Sequence, residues 1–380
     1  MKIGCVQEIM QGELRVGLRP SGGGGLELVQ KGHDVLVGTQ AGLGSGFADE
    51  AYSAVGARVI SSDDVWNKSD LVVKIKEPLS REFQYLRNGL MIAGFFHAGS
   101  PHNLPLVHAL CDSKVTAIDY GAIQLDDGST PVLAAMSKVA GWIMFYEAGK
   151  LLMDYKRTLI GPDTKALVIG LGNAGTTLVG LLLQAGATLY AMEINPQRRK
   201  QVRDQYHTFL EREGSGAENK LECEAYNQEQ LAEILKKVDL AFGTANNPAR
   251  QRQETLVPRA MTQKMQPGSI VGDISIDNGG CFEASRKTSL DQRTFVDENG
   301  VVFYCVPNMP AIAPGISTPA LTTLTFPYFL AIAEKGIVRA ALEDPSLARG
   351  IITYAGKVTH RGIAESVGKE YVPLRELLAG

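Results

Sequence analysis

A glycine-rich turn between an apolar strand and an apolar helix constrains the fold of this chain more than any other feature. The turn, Gly170-Leu-Gly-Asn-Ala-Gly175, follows the apolar run 166–169 and opens an apolar helix. In this context Gly170 permits a tight turn, Gly172 lets the main chain approach a pyrophosphate, and Gly175 allows close packing of helix on strand. The first helical turn also offers unpaired N–H groups and a partial positive charge to phosphates. The pattern predicts a dinucleotide-binding unit with Gly170, Gly172, Asn173, Ala174 and Gly175 at the cofactor.

An acidic residue at the end of the next strand indicates which dinucleotide binds. Glu193 stands 18 residues after Gly175, where its carboxylate would accept hydrogen bonds from the adenosine ribose hydroxyls. A 2′-phosphate there would meet a like charge, so the sequence favours NAD over NADP. The basic run Arg198-Arg199-Lys200 is either a solvated helix face or a feature that tolerates that phosphate, and the sequence leaves both readings open.

The chain is long enough for two domains, and its apolar runs have the pattern of two α/β units. Its 380 residues exceed one ordinary core. Short apolar runs alternate with helical patterns before residue 125 and again from Lys165, which predicts two Rossmann-like, doubly wound, mostly parallel sheets with a cleft between the domains. We expect a first, substrate-binding domain of residues 1–129 with 312–380, and a nucleotide-binding domain of residues 130–311.

Individual elements follow from the same periodicities. In the first domain we expect strands at 2–6, 34–37, 71–74, 90–95 and 116–117, and helices at 26–31 and 103–111. The polar segment 124–131 is expected to be a hinge before one long helix at 132–155, and the chain is expected to cross again near 306–314. The segment from 318 to about 378 has no strand pattern, which predicts helices that return to the first domain. Its most apolar part, 317–333, contains Thr, Ser and Pro and is expected to be a buried helix.

Composition argues against several classes of protein. Lys and Arg number 38 against 41 Asp and Glu, and the basic residues are scattered, so no surface for nucleic acid or an anionic membrane is indicated. The five cysteines are far apart and lack metal-ligand spacing, which is typical of reduced thiols in a cytoplasmic protein and predicts no metal site.

Six further segments, in order along nearly the whole chain, resemble the signature segments of the alanine dehydrogenase and pyridine nucleotide transhydrogenase family. They are Glu8 with 13–17, 73–78, 95–98, 136–141, 273–283 and 303–310. The resemblance implies an NAD-dependent amino acid dehydrogenase that interconverts a small, alanine-like L-amino acid and its 2-oxo acid plus ammonia. It also implies a homo-oligomer, either a hexamer or a dimer.

The resemblance assigns roles to residues of the first domain. Arg15 would hold the substrate carboxylate, because a guanidinium offers a planar fork of two donors. Lys76, at the expected carboxyl end of a parallel strand, would bind or deprotonate the substrate. Lys74 lies two residues earlier and is expected on the same strand face, so only the motif favours Lys76. His97 would hydrogen-bond the 2-oxo or 2-amino group and help move its proton. The other five histidines are expected to be structural, namely His33, His102, His108, His207 and His360.

Residues of the nucleotide-binding domain receive roles in the same way. Asp277 would face the nicotinamide and help handle ammonia or the carbinolamine, while Asp273 would hold the loop by accepting main-chain N–H groups. Asn308 would line the same site, and Ser137 would contact the cofactor.

Three departures from the family leave the substrate open. The glycine-rich segment 19–25 is longer than in the family, the connection 154–165 is shorter, and the residues around His97 differ from those of the alanine enzyme. Two alternatives therefore remain. One is an opine- or saccharopine-type dehydrogenase that reduces an imine between an amino acid and a 2-oxo acid. The other is a non-catalytic nucleotide-binding or transhydrogenase-like protein.

Overall fold

The chain forms two compact units, each built around its own sheet. The computed structural model describes residues 1–212, 221–245 and 255–378. The first unit comprises residues 1–136 and 311–380, and the second comprises residues 137–310. A long helix, α5 (Pro131–Lys156), begins in the first unit and continues in the second, and it matches the expected helix at 132–155 within one residue at each end.

The first unit contains an eight-stranded, mostly parallel sheet. Its strands are β1 (Lys2–Cys5), β2 (Asp34–Gly38), β3 (Arg58–Ile60), β4 (Leu71–Lys76), β5 (Met91–Phe95), β6 (Thr116–Asp119), β14 (Ile351–Tyr354) and β15 (Lys357–Val358). They are arranged in the order β15-β14-β6-β5-β4-β1-β2-β3. Six parallel strands therefore follow the doubly wound order 3-2-1-4-5-6, and the order reverses between β1 and β4. Strands β4 and β5 are near-continuous apolar runs because helices cover both faces of such a sheet.

The expectation that no strand follows residue 318 was wrong. β14 and β15 form a hairpin, and β14 extends the sheet by pairing antiparallel with β6, with Ile351 opposite Ile118. The turn between them is Ala355-Gly356, and both residues have positive φ. The strands have four and two residues, so they carry too few alternations for a periodic pattern to reveal them. The β-branched run before Gly356 was the available signal.

Helices and short 3₁₀ turns surround this sheet. They are α1 (Gly25–Gln30), 3₁₀ Leu43–Ser45, α2 (Asp49–Ala54), α3 (Ser62–Lys68), 3₁₀ Ser80–Tyr85, 3₁₀ Pro101–Asn103, α4 (Leu104–Asp112), 3₁₀ Met309–Ile312, α10 (Pro314–Lys335), α11 (Ile337–Glu343), α12 (Pro345–Gly350), α13 (Arg361–Val367) and α14 (Leu374–Leu378). Of the described helices, α10 alone is long and apolar enough to cross a membrane. Its Thr318 hydroxyl bonds the Ser45 hydroxyl at 2.8 Å and accepts the Val16 N–H at 3.4 Å, so α10 packs as part of this unit.

The second unit contains a seven-stranded sheet of the same winding. Its strands are β7 (Lys165–Ile169), β8 (Thr188–Met192), β9 (Leu221–Glu224), β10 (Leu240–Gly243), β11 (Ile270–Asp273), β12 (Thr294–Val296) and β13 (Val302–Tyr304). Its helices are α6 (Asn173–Gln184), α7 (Pro196–Arg212), α8 (Gln228–Leu235), α9 (Arg259–Thr262) and 3₁₀ Ile274–Asn278. The order β12-β13-β11-β10-β7-β8-β9 again gives 3-2-1-4-5-6, with the antiparallel β12 added at the edge. The order reverses between β7 and β10, and the glycine turn directly follows β7.

Candidate functional site

Two glycines of the turn are required for close packing, and the third borders open space. A Cβ on Gly170, whose φ is +93°, would lie 2.6 Å from the main chain of Ala245, and one on Gly175 would lie 2.0 Å from the carbonyl oxygen of Gly170. A Cβ on Gly172 would meet nothing within 4 Å. Gly172 precedes the first residue of α6, so the open space lies at a helix N-terminus, where main-chain N–H groups can donate to an anion. The turn therefore fits a pyrophosphate.

Glu193 follows β8 and is held by main-chain groups on both sides. Its Oε2 accepts the N–H of Leu171 in the glycine turn at 2.8 Å, and its Oε1 accepts the N–H of Asn195 at 2.9 Å. The arginines of the basic run contact main-chain carbonyls here. Arg198 Nε donates to Leu171 O at 2.5 Å, and Arg199 Nη1 donates to Glu193 O at 2.6 Å. Both arginines thus brace the turn and the end of β8.

A polar cavity of about 370 Å³ adjoins the start of α6. Asn173, Lys138 and Arg198 are among its lining residues. Helix α5 approaches α6 closely here, since a Cβ on Gly141 would lie 2.8 Å from the carbonyl oxygen of Ala174. Ser137 lies four residues before Gly141 and so on the same face of α5. The structure therefore places Ser137 and Ala174 on the facing sides of this helix pair.

Asp277 and Asn308 come together in the second unit. Asp277 lies in the 3₁₀ turn that follows β11, and its Oδ2 accepts the N–H of Asn308 at 3.1 Å. Asn308 has φ +52°, a conformation that asparagine tolerates better than most residues.

Asp273, which is fully buried at the end of β11, anchors the loop that carries Asp277. Its Oδ2 accepts the N–H groups of Cys281 and Phe282 at 2.9 and 3.2 Å. Burial raises the pKa of the Asp273 carboxyl to about 6, against the opposing effect of these N–H donors. Asp273 therefore fixes the ends of the loop, in the anchoring role expected for it.

Arg15 is buried and paired with an acid two residues away. Nε donates to Glu13 Oε1 at 2.7 Å and Nη2 donates to Glu13 Oε2 at 2.6 Å, which is the two-bond geometry of a guanidinium on a carboxylate. Nη1 lies 3.4 Å from the sulfur of Met136. Glu13 therefore engages the edge of the guanidinium formed by Nε and Nη2.

Lys76 ends β4, but it does not share a strand face with Lys74 as expected. Val73 pairs with Ala93 and Lys76 pairs with Phe95, so three steps along β4 match two along β5. This extra residue breaks the alternation of side chains between the two faces. Lys74 is fully buried, whereas Lys76 is half-buried. The structure thus separates the two lysines that alternation alone could not distinguish.

His97 lies two residues after β5 and is exposed, with φ +46°. Its ring stacks on Phe95, with 6.5 Å between centroids. His97 interacts electrostatically with the buried Asp119 at the end of β6, whose carboxylate accepts the N–H of Gly121 at 2.8 Å. Burial raises the pKa of Asp119, while the neighbouring His97 and the N–H of Gly121 oppose that rise. Sequence reasoning missed Asp119, although its place at the end of a buried strand was a usable signal.

His360 caps helix α13. Its Nδ1 accepts the N–H of Ile363 at 3.3 Å.

Nearly all of the predicted residues stand just beyond the carboxyl ends of parallel strands, where open α/β sheets bind ligands. In the first unit these are Lys76 on β4 and His97 after β5; in the second they are the glycine turn after β7, Glu193 after β8, Asp277 after β11 and Asn308 after β13. Arg15 and Ser137 are the exceptions, since Arg15 lies ten residues beyond β1 and Ser137 lies in helix α5.

The glycine-rich segment 19–25, in which this chain departs from the family, is closed by hydrogen bonds. The N–H of Gly25 donates to Arg19 O at 2.8 Å, and Arg19 Nη2 donates to the Thr323 hydroxyl of α10 at 3.1 Å. The Glu27 carboxylate accepts the N–H groups of Gly23 and Gly24 at 2.8 and 3.0 Å. The extra glycines are therefore tied to α1 and α10.

Solved structures of two kinds of protein share this architecture. An L-alanine dehydrogenase superposes with a TM-score of 0.86 at 31% identity, covering 97% of this chain and 99% of that one. A transhydrogenase from Sinorhizobium meliloti superposes with a TM-score of 0.77 at 21% identity, covering 95% and 99%, which shows a shared fold.

Sequence relatives cover the whole chain. The alanine dehydrogenase of Staphylococcus haemolyticus is 37% identical over 388 residues, spanning 100% of this chain and 99% of the relative. Alanine dehydrogenase 2 of Staphylococcus aureus strain Mu50 is 38% identical over 392 residues, spanning 100% of both. Residues 4–140 match the alanine dehydrogenase/PNT N-terminal domain, and residues 158–361 match the alanine dehydrogenase/PNT C-terminal domain. The chain therefore belongs to the alanine dehydrogenase/PNT family.

Proposed function

We propose that this protein is an NAD-dependent amino acid dehydrogenase that catalyses reversible oxidative deamination of a small, alanine-like L-amino acid to its 2-oxo acid and ammonia. The observation that carries the proposal is that one chain contains both a turn suited to a dinucleotide and side chains suited to an amino acid. The second unit has a glycine turn open at Gly172 and an acid at Glu193. The first unit presents Lys76 and His97 at the carboxyl edge of its sheet and also contains the buried Arg15.

The cofactor contacts follow from the second unit. The N–H groups at the start of α6 bind the pyrophosphate, and Glu193 accepts the ribose hydroxyls. Glu193 is already oriented by Leu171 and Asn195, so a 2′-phosphate would meet a fixed negative charge. We therefore propose NAD rather than NADP. When bound, the nicotinamide supplies the hydride acceptor of the reaction.

Arg15 holds the substrate carboxylate in this scheme. Glu13 fixes the guanidinium plane through two hydrogen bonds, so Arg15 does not have to reorganise when substrate arrives. A single exposed arginine would have to lose side-chain entropy on binding, whereas this one is already ordered.

Lys76 and His97 act on the oxygen or nitrogen atom that is bonded to the 2-carbon of the substrate. The Lys76 ammonium polarises the 2-oxo oxygen or binds the 2-amino group, and His97 transfers the proton. Asp277, whose carboxylate accepts the N–H of Asn308, handles ammonia or the carbinolamine in this scheme. These roles are carried over from the family pattern and supported by the position of each residue at a strand end.

Steady-state assays test the proposal directly. A panel of L-amino acids with NAD, and then NADP, is followed by absorbance of the reduced cofactor, and we expect the highest turnover with alanine or a residue of similar size. In the reverse direction, NADH oxidation with pyruvate should require free ammonia. A requirement for a second amino acid instead would indicate the imine-reducing alternative.

Matched variants locate the site. Lys76→Ala and His97→Ala should each abolish most turnover, while Lys68→Ala, at an exposed lysine of α3, should leave turnover unchanged. Tight NAD binding without turnover of any amino acid would support the non-catalytic alternative. Full turnover in both site variants would refute the residue assignment.

We also propose a homo-oligomer, a hexamer or a dimer, in the cytoplasm. Large apolar side chains on one face of α5 are exposed, namely Trp142, Tyr146 and Met153, and their spacing of four and seven residues is helical. The five cysteines all fall in described ranges and are free thiols, which suits a reducing compartment. Light scattering of the wild-type protein and of Tyr146→Glu should show an oligomer that the variant weakens. A wild-type monomer would refute this.

A further inference from the structure

A carboxylate at the end of β1 contacts the main chain of β4 immediately before Lys76. Glu8 Oε1 accepts the N–H of Ile75 at 2.5 Å. Its side chain is only 4% exposed. Glu8 reaches across the point where the strand order of the first sheet reverses, since β1 and β4 are neighbours there.

The contacted segment is the extra residue of β4. Lys74 and Ile75 together stand opposite the single residue Gly94, and we call this pair the β4 bulge. A side chain at Gly94 would approach the carbonyl oxygens of Lys76 and Ile75 at 3.3 and 3.6 Å, so glycine leaves room for the bulge. Since one added residue reverses the alternation of faces, the bulge sets the direction in which Lys76 leaves the strand.

Side chains satisfy the main-chain groups of the bulge. Glu8 accepts the Ile75 N–H, and the Tyr120 hydroxyl donates to Lys74 O at 3.0 Å. The Tyr120 contact is buried and the Glu8 contact is partly buried, and a buried main-chain group without a partner would be costly. The bulge is thus held from β1 on one side and from the end of β6 on the other.

Glu8 is in turn held by the buried Lys74. The Lys74 Nζ lies 3.3 Å from Glu8 Oε2 and 3.0 Å from Glu82 Oε1, and Glu82 Oε2 accepts the Leu79 N–H at 2.8 Å. Burial raises the pKa of the Glu8 carboxyl, and Lys74 and the Ile75 N–H oppose that rise. Both oxygens of Glu8 therefore face donors, which an amide in the same place could not match.

We propose that Glu8 is a positioning residue for Lys76, acting through the β4 bulge that its carboxylate holds. The proposal rests on the function proposed above, in which Lys76 contacts substrate. It predicts that neutralising Glu8 displaces Lys76 without removing it. In Glu8→Gln, one amide oxygen can accept from Lys74 or from Ile75, and the amide NH₂ then faces the other donor in either orientation.

The matched control is Glu82→Gln. It neutralises the second carboxylate partner of the same buried ammonium, but Glu82 contacts no main-chain group of the bulge. If Glu8 merely stabilised the fold, the two variants would lose thermal stability and activity in parallel. If Glu8 positions Lys76, Glu8→Gln should lower kcat/KM about 100-fold, the scale of a misplaced reactive group, while Glu82→Gln stays near wild type.

A double-mutant cycle separates positioning from general destabilisation. In the Lys76→Ala background, Glu8→Gln should have no further effect on kcat/KM, because the group it positions is absent. Equal losses with and without Lys76 would overturn the proposal. Should Glu8→Gln fail to fold, Tyr120→Phe removes the other support of the bulge, and its loss of kcat/KM should likewise disappear in the Lys76→Ala background.

Chemical labelling tests the proposal without any turnover. Acetic anhydride at limiting concentration, followed by peptide mass spectrometry, gives the labelling rate of Lys76 relative to the exposed Lys68. That ratio should change in Glu8→Gln and not in Glu82→Gln. An unchanged ratio in both would overturn the positioning role. If wild-type protein turns over no amino acid, the proposed function fails while this measurement still decides the role of Glu8.

Discussion

Replacement of Asp273 by asparagine should change the pH dependence of stability by an amount that the structure sets. Asp273 is fully buried, and its pKa is raised from an ordinary 3.8 to about 6, chiefly by loss of hydration. At about 1.4 kcal/mol for each tenfold change in an ionisation constant, this corresponds to about 3 kcal/mol.

The sign follows from which state holds the proton. Between pH 3.8 and about 6 the folded protein keeps a proton on Asp273 that the unfolded chain has released. The free energy of unfolding therefore falls as pH rises through this interval, by about 3 kcal/mol in total. Asparagine resembles the neutral acid, and its oxygen can still accept the N–H groups of Cys281 and Phe282. The variant should lose this dependence.

Urea unfolding of wild type and Asp273→Asn, measured every half pH unit from 4 to 8, tests this. The stability difference, variant minus wild type, should rise by about 2.4 kcal/mol between pH 4 and pH 8, because part of the unfolded-state ionisation is already complete at pH 4. Taking differences at each pH cancels the titrations that both proteins share. A stability difference that is flat with pH would refute the reasoning that Asp273 is a buried, unfavourably ionised anchor of the Asp277 loop.

Three further predictions concern the proposed ligand contacts. Gly175→Ala should lower the free energy of unfolding by about 3 kcal/mol, because the new Cβ meets the Gly170 carbonyl. Gly172→Ala should melt like wild type and bind NAD about tenfold more weakly. Calorimetry measures both the melting and the binding, and equal losses of melting temperature in the two variants would contradict this prediction. Arg15→Lys should raise the KM for the amino acid at least about tenfold with a smaller change in kcat, since lysine cannot keep both the Glu13 bonds and a carboxylate; an unchanged KM would exclude Arg15 as the anchor. Glu193→Gln should raise the ratio of kcat/KM for NADP over NAD about tenfold, because it removes a fixed charge next to the 2′ position, and an unchanged ratio would show that Arg198 and Arg199 decide the preference.

The elements that the sequence predicted well are those defined by local chemistry. The glycine turn between β7 and α6 is specified by residues within ten positions, and each glycine has the conformation or clearance that the pattern requires. Long periodic segments such as α5 were also predictable, because 26 residues contain many helical repeats. Local information sufficed there.

The features that sequence reasoning missed depend on contacts between distant segments. The β4 bulge shifts the register of Lys76, and strict alternation offers no sign of it because its supports come from Glu8 and Tyr120. The carboxylate of Asp119 lies near His97 only because β5 and β6 are neighbours in the sheet. Hairpin β14–β15 is stable because β6 leaves an edge to pair with, which its own few residues do not reveal.

Transfer of hydride from the 2-carbon of a small amino acid to NAD can be followed with a deuterium label. L-alanine deuterated at the 2-carbon is incubated with the enzyme and NAD, and the reduced cofactor is analysed by mass spectrometry and proton NMR. We expect one deuterium at nicotinamide C4 of each reduced cofactor, with pyruvate and ammonia formed in equal amounts. Reduced cofactor lacking deuterium, or formed only when a second amino acid or 2-oxo acid is added, would contradict this expectation.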